Sequence, residues 1–341
     1  MRFSLALITL PVALVAASPS EKRCIGTISS LNDVAAAQKC TTININAFTV
    51  PAGKTFEIAA LDKTTVNLNG DVKFGVANWA GPLFSITGNE LLFNGNGHTF
   101  DGQGASYWDG QGGNGGVTKP HPMMKIKMSG TYSNVKVLNS PAHVYSISNP
   151  AKLVMSNLTI DNSAGDKPNS QSGGNSTIYN QDDCIAINKG SGIIFQRNTC
   201  TGGHGISIGS VSTGATVQNI QILNNKVVNN DQALRIKTKA DATNAAVTNV
   251  TFSGNTATGI KKFGVIVDQG YPTTLGTPGN NVAMSAITFG TNNIAVTSSA
   301  ERVVVNCGSK CTGTWDWSGL KVTGGKAGTV YNYKNIKAGS Y

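Results

Sequence analysis

Asn219-Ile220-Gln221-Ile222 is followed thirty residues on by Asn249-Val250-Thr251-Phe252, each a turn residue ahead of alternating strand residues. Asn134-Val135-Lys136-Val137 and Asn157-Leu158-Thr159-Ile160 read the same way, and Gly192-Ile193-Ile194-Phe195 is a degenerate copy. Alternation of apolar and polar side chains marks a strand with one buried face, and asparagine is at home in turns. In chain order the copies start 23, 35, 27 and 30 residues apart. Such a period belongs to an all-β solenoid, in which each coil supplies short strands to parallel sheets.

Composition agrees with that reading. Charged residues make up 13% of the 341 positions, glycine occurs 40 times, and no long amphipathic helix interrupts the short Val-, Ile-, Thr- and Asn-rich runs. A chain of this length suggests two domains on size alone, but repeat arrays routinely exceed that limit as one unit. The apolar runs exclude a disordered chain and provide ample core.

Arg2 precedes the apolar stretch from Phe3 to Ala17, which ends in the small residues Val15-Ala16-Ala17. That pattern predicts a secretory signal over residues 1–17. Ser18 to Arg23 ends in the dibasic pair Lys22-Arg23 and reads as a propeptide, leaving residues 24–341 as one mature domain. No later apolar run is long enough for a membrane span, so a secreted, extracellular monomer is expected. Six cysteines follow the proposed cut, Cys24, Cys40, Cys184, Cys200, Cys307 and Cys311. An even count suits an oxidising compartment, although six cysteines permit fifteen pairings. Their spacing lacks the compactness of a zinc site, and no metal or other cofactor is expected. Asn157, Asn175 and Asn249 head glycosylation sequons, while the position of Asn157 and Asn249 before short strands also suits a structural turn.

Chemistry concentrates in the second half. Asn180-Gln181-Asp182-Asp183-Cys184 is followed by Gly203-His204-Gly205 and by Arg235-Ile236-Lys237. Paired carboxyl groups suit glycoside hydrolysis, where one protonates the leaving oxygen and another activates water or attacks the sugar. Adjacent residues on a regular strand point to opposite faces, so Asp182 and Asp183 share a cleft only at a strand end or bend. Arg235 and Lys237, two apart, fall on one strand face and suit an anionic sugar chain. Each motif alone also reads blandly: a surface turn for the aspartates, a solvated face for the cations, a tight turn for the histidine between glycines.

Taken together, the motifs resemble those of the polygalacturonases, pectin-cleaving glycoside hydrolases with a right-handed parallel β-helix. Val50 to Gly53, Asp101 to Gly104, Trp108 to Gly110 and Gly205 to Ser210 extend the likeness through nearly the whole mature chain. The resemblance implies inverting hydrolysis of polygalacturonate or pectin, with endo action. Asp182 is then the general acid, Asp183 shares water activation, and His204 maintains the acid's hydrogen bonding and protonation. Arg235 and Lys237 hold a galacturonate carboxylate, and Tyr271 contacts substrate. It further implies disulfides between sequential neighbours, Cys24 with Cys40, Cys184 with Cys200 and Cys307 with Cys311.

One departure stands out. Members of that family carry an Asn-Thr-Asp segment one coil before the Gln-Asp-Asp motif, and its aspartate is the third catalytic carboxylate. No such segment occurs between Asp161 and Asn180, and neither Asp161 nor Asp166 matches its position. A natural deletion and a skipped exon both account for the loss, and the intact flanking motifs favour the second. The interval from Asn157 to Gly192 is accordingly half a coil or more short.

The net charge of +10 falls to +8 when residues 1–23, with three basic and one acidic residue, are removed. That balance favours an acidic partner. Export, and the lack of a dense Arg/Lys run, argue against nucleic acid. Three classes are open: a pectin hydrolase, a catalytically weakened polysaccharide-binding relative, and a pectate lyase. A lyase would be revealed by an ultraviolet-absorbing unsaturated product and sensitivity to chelators.

Overall fold

A computed structural model describes residues 24–113, 115–166 and 177–341. The expected leader and propeptide, and the sequon at Asn175, lie outside the described residues. The chain winds into a right-handed parallel β-helix, in which every strand pairing is parallel.

Each complete coil contributes to three faces in turn. In the coil nearest the expected site these are Asp183–Ile187, Gly190–Gln196 and Thr199–Thr201, and in the next Gly205–Val211, Thr216–Leu223 and Lys226–Val228. Coil stacks on coil at one strand spacing, roughly 4.8 Å, so inward side chains form columns along the axis. Phe252 stacks on Phe289 at 4.5 Å between ring centres, and Phe93 on Tyr132 at 4.7 Å. Trp315 and Trp317 are fully buried near the C-terminal end.

Asparagines hold the corners. Asn255 donates to Asn292 (2.8 Å) and Asn225 donates to Asn255 (3.0 Å), both pairs buried. A buried amide left unpaired would be costly, but here the carboxamide oxygen of each asparagine accepts from the asparagine of the preceding coil. The repeat asparagines Asn134, Asn157, Asn219 and Asn249 all adopt left-handed backbone, with φ of 57°, 52°, 56° and 51°. Asn157 donates its amide to Asn134 at 3.1 Å and Asn249 donates to Asn219 at 2.8 Å, so the amide nitrogens of these two sequons serve as ladder donors.

The repeat copies occupy two different registers. Asn134 and Asn157 stand ahead of the third-face strands Lys136–Leu138 and Thr159–Asp161, whereas Gly192, Asn219 and Asn249 lie inside second-face strands. The 35-residue interval therefore compares unlike corners, because both kinds of corner present the same turn-then-alternation pattern.

The deficit itself has a definite place. On the third face Thr159–Asp161 pairs with Thr177–Tyr179, which pairs with Thr199–Thr201, without interruption. Among the described residues, Tyr145–Ile147 of the first face pairs only with the preceding coil, and Asp183–Ile187 only with the following one. On the second face the same holds for Leu153–Ser156 and Gly190–Gln196. Among the described residues one coil thus contributes a single strand where its neighbours contribute three. The facing edges are set apart by roughly two strand spacings, about 9–10 Å. Ile147, Val154 and Ile194, on the bordering strands, are 48%, 45% and 57% exposed. The apolar core divides at the same level, one cluster running from Ile28 to Val137 and the other from Ile187 to Tyr333.

Three disulfides, Cys24–Cys40, Cys184–Cys200 and Cys307–Cys311, link sequential neighbours. No helix of the described residues is long and apolar enough to cross a membrane.

Candidate active site

Asp183 opens the strand Asp183–Ile187, and Asp182 is the last residue of the turn before it. The register against the next coil shifts between Asp183 and Ile185. This bend at a strand end lets two consecutive carboxylates serve one surface. Asn180 pins the turn by donating to the backbone carbonyl of Asp183 at 2.8 Å.

His204 sits on the coil below. Its backbone N–H donates to the Asp182 carbonyl (2.8 Å), and its ring Nδ1 lies 3.1 Å from Asp182 Oδ1. Gly205 has φ +86°, and a Cβ there would lie 2.1 Å from the Gln232 carbonyl oxygen; the coils stack closely here because no side chain intervenes.

Arg235 and Lys237 project from one face of Gln232–Lys239, as their spacing predicts, and both reach Asp183. The Arg235 guanidinium and the Ser207 hydroxyl (2.7 Å) donate to Asp183 Oδ1, and Lys237 Nζ donates to Oδ2 at 2.7 Å. The Asp183, Arg235 and Lys237 side chains are 9%, 14% and 10% exposed. Tyr271, at the end of Phe263–Tyr271, places its ring 5.4 Å from Lys237 Nζ. All six expected residues thus converge on one patch of the first face. The cations are engaged with Asp183 rather than standing free.

The two carboxylates have different surroundings. Asp182 is more than half exposed, and the hydrogen bond from His204 holds its carboxyl well below the ordinary aspartate range, helped by the Asp183 backbone N–H. Asp182 is therefore an anion at neutral pH as the site stands. Burial pushes the Lys237 ammonium down, and its neighbour Asp183 opposes that shift. Ligand atoms of Asp182, Asp183 and His204 gather within 4.8 Å. Both Asp183 oxygens already accept from cations, so the cluster is suited to proton chemistry rather than to holding a metal.

Three contributors escaped the sequence reading. Ser207 was visible only as part of a motif; its hydroxyl lies between Asp183 and Arg235 and also accepts from Arg235 Nε at 3.0 Å. Asp231 and Lys262 approach His204 from the far side. Only the stacking register, which aligns residues of different coils, reveals them.

The model of glycosyl hydrolases family 28 matches residues 40–340. The chain belongs to glycosyl hydrolases family 28. Within family 28, endopolygalacturonase B of Aspergillus oryzae is 40% identical over an alignment of 356 positions, covering 97% of this chain and 96% of its own. That alignment is longer than the 341-residue chain, so the Aspergillus protein carries residues with no counterpart here. Endopolygalacturonase 1 of Colletotrichum lindemuthianum is 39% identical, with 87% and 88% covered. Among solved structures, endopolygalacturonase I from Stereum purpureum, complexed with two galacturonates, superposes with a TM-score of 0.88 at 42% identity, covering 92% of this chain and 99% of that one.

Proposed function

We propose that this family 28 chain is a secreted, endo-acting polygalacturonase that hydrolyses α-1,4-galacturonosyl linkages of polygalacturonate or pectin with inversion. The observation that carries the reading is the convergence of Asp182, Asp183, His204, Arg235, Lys237 and Tyr271 on one patch of the first face, supported by the named activities of the relatives.

In this mechanism Asp182, protonated when substrate displaces water, delivers its proton to the glycosidic oxygen as the C1–O bond breaks. Water attacks C1 from the opposite face and loses its proton to a carboxylate. Galacturonate carboxylates compete with Asp183 for Arg235, whose guanidinium suits bidentate pairing, and for Lys237, which acts as a point charge. Incubating purified chain with polygalacturonate tests this. New reducing ends of inverted anomeric configuration, with viscosity falling faster than bonds are cut, and loss of about 10²–10⁴ in rate in D182N are expected. Product with a retained configuration, or undiminished rate in D182N, would reject it.

A second reading rests on a specific observation. Both Asp183 oxygens already accept from Arg235, Lys237 or Ser207, so an attacking water must compete with three donors to reach them, and among the described residues the coil expected to bring the third carboxylate contributes one strand. The chain then binds polygalacturonate with hydrolysis severely reduced. Inserting an Asn-Thr-Asp coil before Asn180 should restore turnover under this reading.

A further inference from the structure

From Asp183–Ile187 onward, the corner that precedes each first-face strand carries an ionisable residue stacked on that of the coil before. The His204 N–H donates to the Asp182 carbonyl (2.8 Å), Asp231 to Gly203 (2.9 Å), Lys262 to Asp231 (2.8 Å) and Glu301 to Lys262 (2.8 Å). Backbone stacking therefore fixes the order Asp182, His204, Asp231, Lys262, Glu301 along the axis. Signs along this column alternate throughout, provided that His204 carries two ring protons.

Side chains follow the backbone. His204 Nδ1 faces Asp182 Oδ1 at 3.1 Å, while Nε2 faces Asp231 Oδ2 at 4.0 Å. Lys262 Nζ lies 2.7 Å from that same Asp231 oxygen. A neutral imidazole donating through Nδ1 would turn its Nε2 lone pair toward a carboxylate, whereas an imidazolium presents an N–H to each side. Asp231 keeps its own partner and is only 21% exposed; Lys262 is 60% exposed, so its opposing charge is screened by solvent. Asp183 and Lys237 also stand near the ring and offset each other, being paired at 2.7 Å.

We propose that Asp231 is a positioning residue: it orients the His204 ring toward Asp182 and holds it as an imidazolium, with Lys262 tempering that hold. The consequence for Asp182 as an acid rests on the hydrolase reading above; the state of the ring does not.

The test is NMR titration of His204 in the full mature chain, which needs no turnover. D231N should lower the His204 midpoint by roughly 0.5–1 pH unit, because an attracting charge about 4 Å away is lost. K262M should raise it, because Asp231 is then uncompensated. Backbone spectra matching wild type outside the column establish that both variants fold. An unchanged midpoint in D231N, or shifts of the same sign in both variants, overturns the proposal. If the chain turns over polygalacturonate, the pH profile of D231N should shift with the His204 midpoint; a moved midpoint with no turnover in wild type refutes the hydrolase reading alone.

Discussion

At the scale of single residues, the site is organised around one shielded anion and one exposed one. Asp183 has three donors on two oxygens and little solvent, so D183N leaves Arg235 and Lys237 facing each other without a counter-charge. Breaking a shielded ion pair in this way costs about 3–5 kcal/mol, and urea unfolding should show a loss of that order. R235A and K237A each keep one cation on Asp183 and should cost less, about 1–3 kcal/mol, while weakening binding to polygalacturonate more than to its methyl ester. Equal weakening on both polymers would assign them to packing. Asp182 works through pH. Its folded carboxyl titrates below the ordinary aspartate value, so its stabilising contribution is complete above about pH 4 and is lost as pH falls through the lower folded value. D182N should therefore lower stability in the neutral region and flatten the acid limb of a stability-against-pH curve, the variant and wild-type curves converging as pH falls through the folded value.

At the scale of elements, Asp183–Ile187 is, among the described residues, a border strand with one paired edge, and the Cys184–Cys200 bridge ties it to the third face of its own coil. A loop of this size stabilises by about 3 kcal/mol. The double variant C184S/C200S should lose about 2–4 kcal/mol, and amide exchange should accelerate first in residues 182–187. Uniform acceleration would mean that the bridge serves the whole solenoid. The strands themselves were legible because alternation and asparagine turns are local signals. Arg235 and Lys237 were legible because two-residue spacing on a strand is local too, and Asp182 and Asp183 because two carboxylates stand side by side in sequence. Register was not: Asn134 and Asn219 look alike in sequence yet occupy different corners. Asp231 and Lys262 escaped for the same reason, since the contact between residues 27 or 31 apart exists only once coil stacks on coil.

At the scale of the whole molecule, the divided core predicts divided cooperativity. Repeat arrays are stabilised by nearest-neighbour interfaces, and among the described residues the interface between the Met124–Ser133 half and the Gly205–Val211 half is carried by one face where the flanking levels use three. Calorimetry should show two transitions, the C-terminal half keeping its Phe252–Phe289 column after the N-terminal half has melted or the reverse. A single transition with equal calorimetric and van't Hoff enthalpies would show the halves to be coupled through the third face alone. Inserting a full coil before Asn180 should merge two transitions into one. The interrupted faces also set a load path. Among the described residues, a pull applied along the axis crosses the two flanking levels on three ladders of backbone hydrogen bonds, but crosses this one on the ladder from Thr159–Asp161 through Thr177–Tyr179 to Thr199–Thr201. In its described residues the molecule is thus built like a rod notched on two of its three sides: under tension it should part at that notch, immediately beside Asp182, ahead of the three-ladder levels that flank it.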